Sequence, residues 1–152
     1  MIKAALFDLD GVVFETESQY SIFWGMIGRE YHPEIPDFEY RIKGQTLVQI
    51  YDKYFSEDSV FAHIKGYTDV KSEQDKITTR LNEFEKNMSY PYITGFEDFI
   101  KDLKQNGVKC AVVTSSNVQK MQNVYRQHPK FKGYFDRVLT SEDFAKSKPD
   151  PD

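Results

Sequence analysis

The stretch "AALFDLDGVVFET", residues 4–16, runs four small or apolar residues into Asp8, Leu9, Asp10 and Gly11. A short apolar run without clean alternation reads as a strand covered on both faces, the hallmark of a parallel sheet. Two carboxylates one residue apart at the mouth of such a strand are costly, because an unpaired charge out of water loses several kcal/mol or titrates to neutrality. A positive group is therefore expected between them.

Working outward, the strand signature of Ile2 to Leu9 returns at Val108–Thr114 and, more weakly, in "RVLT" at 137–140. Between the first two, "GFEDFIKDLKQNG" places Phe96, Phe99, Ile100 and Leu103 on one helical face, and Gly107 stands where a left-handed cap stops a helix. After the second strand, Val118, Met121 and Val124 or Tyr125 repeat at helical spacing until Pro129 forbids continuation. Strand, helix, strand, helix, strand predicts an α/β doubly wound pattern.

Residues 15–90 break that alternation. "TESQYSIFWGMIGREY" gathers Tyr20, Phe23, Trp24 and Ile27 on one side, "QTLVQIYDKYF" gathers Leu47, Ile50, Tyr51 and Tyr54, and "KITTRLNEFEKNM" gathers Ile77, Leu81, Phe84 and Met88. The expectation is a helical subdomain over 15–90, inserted into an α/β core made of 1–14 and 91–152. Ser56 to Gln74, charged and with Gly66, is expected to be loop.

The 152 residues are the length of one ordinary domain, able to bury about 70% of the unfolded surface, and 12 Phe and 10 Tyr supply large apolar area. A formal charge of -4 argues against nucleic acid or an anionic membrane as partner and favours a small polar ligand. Cys110 stands alone, which excludes an internal disulfide and a multi-cysteine zinc site, and its apolar surroundings "VKCAVVTS" make it an inert core thiol. No apolar stretch reaches membrane-span length or forms a signal sequence, so a cytoplasmic setting is expected.

Ligands of open parallel sheets bind beyond the carboxyl ends of the strands. Asp8 and Asp10 close the first strand, "TSSN" at 114–117 closes the second, and "KSKPDPD" at 146–152 follows the third. Together they make a site for a divalent cation beside a phosphate: carboxylate oxygens for the hard cation, hydroxyls and amides at a helix start for the anion, a lysine as point charge.

These residues resemble the motifs of the haloacid dehalogenase-like phosphohydrolases, in the branch with a helical cap after the first strand. Asp8-Leu9-Asp10-Gly11-Val12 looks like the first motif, Thr114-Ser115 the second and Lys148-Pro149 the third, in the family's order. The resemblance implies an incomplete Rossmann-like parallel sheet with an inserted helical cap, and hydrolysis of a small phosphorylated metabolite. It implies Asp8 as the nucleophile that forms an aspartyl-phosphate and Asp10 as general acid and base. Magnesium is expected on one Asp8 oxygen and on Asp10 through its backbone carbonyl. Asp8, Gly11, Thr114, Ser115 and Lys148 are expected around the phosphoryl group, with Thr114 and Lys148 assisting the chemistry.

The pattern departs from the family at three places. Family members continue past "KPDPD" to a fourth strand with further acids, whereas this sequence stops at Asp152, so either the chain is a fragment or truncated product or its metal site is completed by water or another molecule, and a first strand whose open edge invites self-association is expected. Glu15 stands where Asp is usual. Tyr20 and Leu47 stand where mutases of the branch carry His and Arg to grip a second phosphate, which favours simple hydrolysis over a sugar-phosphate mutase. Blander readings remain beside these: Asp10-Gly11 as a turn, Thr114 to Ser116 as a helix cap, Lys148 as a solvated tail, and His32, His63 and His128 as packing or surface residues.

Overall fold

The computed structural model describes residues 2–146 and 148–150. In chain order its elements are β1 (Ala4–Phe7), α1 (Glu17–Tyr31), α2 (Phe38–Arg41), α3 (Leu47–Tyr54), α4 (Val70–Asn87), α5 (Phe96–Gln105), β2 (Lys109–Val113), α6 (Val118–Gln127) and β3 (Arg137–Leu139). Single 3-10 turns lie at Asp58–Phe61 and Phe131–Tyr134. The chain divides into two compact units, Met1–Glu17 with Met88–Asp152, and Ser18–Asn87.

The first unit is built on a sheet of three parallel strands in the order β1-β2-β3. Its register pairs Phe7 with Val112 and Val112 with Val138, so these three share one face. That face is buried: Val112 is fully enclosed, and Phe7 meets the rings of Phe96, Phe99 and Phe135 edge-on. The other face differs from expectation, because Leu6 on β1 and Ile2 before it both stand 73% exposed. Side chains on a strand alternate, and among the described residues nothing covers the side that Leu6 occupies, so β1 is a half-buried strand rather than one covered twice. No helix of the described residues is long and apolar enough to cross a membrane.

Helix α5 ends as its sequence requires. Gly107 takes φ 72°, and its N–H and that of Val108 reach back to the carbonyls of Lys104 and Leu103, satisfying the last turn. On α6 the buried set is Lys120, Met121, Asn123 and Val124, while Val118, expected on the apolar face, is half-exposed. The helix is rotated so that a lysine points inward.

The second unit is a helical core around Phe55, Phe61 and Ile77, all fully buried. Helix α3 begins at a capping box in which Thr46 and Gln49 each serve the other's backbone. Segment 56–74, expected to be loop, is packed and partly helical: Phe61 stacks on Tyr67 at 5.3 Å, and α4 starts at Val70 because Asp69 accepts the Ser72 N–H at 2.8 Å. One aromatic ring outweighs the polar composition of the segment, which is all that the sequence pattern registers. Gly28 on α1 is required by close approach: a Cβ there would lie 2.5 Å from the Cβ of Phe38.

Candidate functional site

The site assembles at the carboxyl ends of β1 and β2. Beyond Phe7 the chain leaves the sheet through Asp8 and closes a turn in which Gly11, at φ 73°, donates its N–H to the Phe14 carbonyl at 2.8 Å. A side chain at 11 would be strained by that φ and would press on Glu17 at 3.1 Å. Gly11, expected around the phosphoryl group, has its N–H engaged inside the turn. Its contribution is to let the backbone fold back.

Asp8 is half-exposed. Its Oδ1 accepts the Leu9 N–H at 2.8 Å and the Lys148 ammonium at 2.8 Å, while its Oδ2 accepts no hydrogen bond among the described residues. Lys148 also donates to the Val113 carbonyl at 3.2 Å, so one ammonium ties the end of β1 to the end of β2. Lys148 is therefore seated at the strand ends and is not a free tail. Pro151 and Asp152 of the same motif, and Ser147 before it, lie outside the described residues.

Thr114 follows β2 directly and is buried; its N–H is bonded to the Leu139 carbonyl of β3, and its Oγ1 accepts the Ser116 N–H at 3.0 Å. This turn leaves Ser115 exposed, with an N–H that has no acceptor among the described residues. The helix cap falls to Asn117, whose side chain accepts the Lys120 N–H at 2.8 Å, and not to Thr114 or Ser115. The loop is further pinned by the Ser141 N–H on the Ser116 carbonyl and by Glu142 on the Val118 N–H.

Asp10 is the most heavily engaged group. Its Oδ1 accepts the Thr16 hydroxyl and the Lys120 ammonium, each at 2.7 Å; its Oδ2 accepts Lys120 at 2.7 Å and the Ser116 hydroxyl at 3.2 Å. Burial pushes this carboxyl up, but the charge and hydrogen bond of Lys120, with those of Thr16 and Ser116, hold it below the ordinary value. Rather than one positive group between the acids, each has its own lysine, Lys148 on Asp8 and Lys120 on Asp10. Lys120 and Thr16 escape sequence reasoning: Lys120 stands in the first turn of an amphipathic helix, where a lysine is ordinarily solvated, and nothing local marks it as buried.

Among the described residues no three His, Cys, Asp or Glu side chains cluster as a metal site. The oxygens expected for magnesium still fit. All four lone-pair positions of the Asp10 carboxylate are taken, leaving its backbone carbonyl to serve, while Asp8 Oδ2 accepts no hydrogen bond among the described residues. Magnesium commonly uses one or two protein oxygens and completes its shell with water and substrate phosphate.

The other candidates have structural roles. Cys110 is buried, its thiol pushed up by burial. His32 bridges Glu34 and the Tyr54 carbonyl, His63 meets the Glu30 carbonyl, and His128 packs on Phe14 and Tyr92.

The family model described as "Haloacid dehalogenase-like hydrolase" matches residues 5–152. A protein named "Putative pyrophosphatase PpaX", from Clostridium perfringens, is 29% identical over 155 aligned positions covering 99% of this chain and 65% of its own length. The chain therefore spans about two thirds of that relative. Among solved structures, the HAD hydrolase of family IA, variant 3, from Entamoeba histolytica superposes with TM-score 0.70 at 16% identity, covering 97% of this chain and 65% of the other. CbbY from Rhodobacter sphaeroides, solved in complex with phosphate, gives 0.60 at 22% identity, covering 98% and 68%. With three motifs in register at the strand ends and a family match across nearly its whole length, the chain belongs to the haloacid dehalogenase-like hydrolases.

Proposed function

We propose that this chain handles phosphoryl groups as a magnesium-dependent phosphohydrolase of small phosphorylated metabolites, with Asp8 as nucleophile. The observation that carries the reading is the Lys148 ammonium on Asp8 Oδ1 at 2.8 Å, with Oδ2 left without a hydrogen bond among the described residues.

In this reading Oδ2 bonds to phosphorus as the ester P–O bond breaks, and Lys148 offsets the charge gathered by two anions. Magnesium, when bound, supplies further charge neutralisation on the phosphoryl oxygens. The Ser115 N–H and the Thr114 hydroxyl bind phosphoryl oxygens at the start of α6. Asp10, ionised in the structure, is the base that takes a proton from the attacking water; as the acid of the first step it would first take up a proton from solvent and then hand it to the leaving oxygen.

Simple hydrolysis is favoured over mutase chemistry by the second unit. Tyr20, which donates to Glu85 at 2.7 Å, and Leu47 both pack against the helical core, and neither carries the positive charge that would grip a second phosphate. The substrate panel should include pyrophosphate, given the name of the relative, beside p-nitrophenyl phosphate and sugar phosphates. Magnesium-dependent phosphate release that vanishes in Asp8→Asn supports the reading. Phosphate binding without release by the wild-type chain would replace it with a chain that binds phosphate only.

A further inference from the structure

Lys120 is a buried lysine, 4% exposed, whose ammonium sits on both oxygens of Asp10, a side chain that is itself only 23% exposed. Its seat is unusual for energetic reasons. A buried ion pair rarely improves stability, since the desolvation of two charges consumes the Coulomb attraction and an apolar pair of similar volume does as well or better. The fold therefore has no need of this pair for its own sake. It lies, moreover, at the phosphate end of the sheet: Ser116, which shares Asp10 Oδ2, belongs to the loop that presents the Ser115 amide.

Resting on the phosphoryl-handling reading above, we propose that Lys120 is a positioning residue for the site, holding Asp10 in place and cancelling its charge so that a phosphoryl anion can settle beside it. Lys120 acts through Asp10. Lys148 does the corresponding work on Asp8, so each acid of the motif has its own lysine. The four hydrogen bonds on Asp10 also rank its donors. Lys120 and Thr16, at 2.7 Å, form the fixed clamp, and Ser116, at 3.2 Å, is the donor that yields its lone pair to a reacting oxygen.

Removing the ammonium alone should expose a bare carboxylate to the incoming anion, and removing both charges should relieve it. The test is calorimetric titration of the full chain with inorganic phosphate in the presence of magnesium, at a pH well above the carboxylate range. The chains compared are wild type, Lys120→Met, Asp10→Asn and the double variant, each checked for folding by circular dichroism. Methionine keeps the length of the buried stem. The expected result is phosphate affinity lowered on the order of tenfold in Lys120→Met and returned to within about threefold of wild type in the double variant, equivalent to about 1.4 kcal/mol lost and regained. Ester turnover should stay low in the double variant, because Asp10 itself is gone.

Affinity within about twofold of wild type in folded Lys120→Met would overturn the proposal. So would a loss that Asp10→Asn does not relieve, since a merely structural lysine would fail whatever stands at position 10. A wild-type chain that shows this phosphate pattern but releases no phosphate from any ester retains the positioning role and sinks the hydrolase reading. A wild-type chain that binds no phosphate overturns both.

Discussion

The ammonium of Lys148 and the carboxylate of Asp8 meet at 2.8 Å across 140 positions of sequence, at the point where β1 leaves the sheet. Both partners are more than a third exposed, so the pair is worth at most about 1 kcal/mol to the fold. On the proposed reading its value lies in the site. Lys148→Met should leave the thermal midpoint within a few degrees of wild type and lower kcat/KM for a phosphate ester on the order of a hundredfold. Matched melting curves and steady-state kinetics check this; equal loss of stability and activity would assign the lysine to the fold instead.

Acid stability should carry the signature of Asp10. Its carboxyl is held below the ordinary value of 3.8 in the folded chain, so on acidification the unfolded chain takes up this proton first. The stability contributed by ionised Asp10 is full above about pH 4 and is lost as pH falls through the lower folded value. Asp10→Asn removes that share and leaves Lys120 buried without its carboxylate. Urea unfolding should show wild type ahead of the variant at neutral pH and the gap narrowing below about pH 4. A gap independent of pH contradicts the assignment.

Two glycines of α1 make opposite predictions. A methyl at Gly28 would lie 2.5 Å from the Cβ and 2.8 Å from the Cγ of Phe38, with no room to relax inside the helical core, so Gly28→Ala should cost about 1–3 kcal/mol. At Gly25 the nearest atoms are the flexible ends of Arg29 at 3.3 Å and Glu39 at 3.4 Å, so Gly25→Ala should be neutral or gain up to about 1 kcal/mol from helix propensity. Chemical unfolding of the two variants side by side decides it, and equal effects would contradict the packing.

The strand ends and the order of the motifs were legible because apolar runs bounded by Asp8, Thr114 and Gly107 obey local rules of burial and capping. The approach of Lys148 to Asp8 was legible through its place in the motif. Lys120 was not, because which face of α6 packs inward is a tertiary matter and its partner Asp10 stands 110 positions away in sequence. Phe61 escaped for the opposite reason: one aromatic in a charged segment carries too little periodicity to reveal that it is fully buried. The half-covered face of β1 was missed since a short apolar run reads the same whether one side or both are packed.

On the proposed reading Asp8 receives the phosphoryl group. The most direct test is to react the chain with magnesium and a phosphate ester, quench in acid, reduce with borohydride and map the peptides by mass spectrometry. An aspartyl-phosphate at Asp8 is reduced to homoserine, so the account predicts homoserine at position 8 in wild type and none in Asp8→Asn. Phosphate release with Asp8 recovered unmodified, or reduction at another residue, would contradict it.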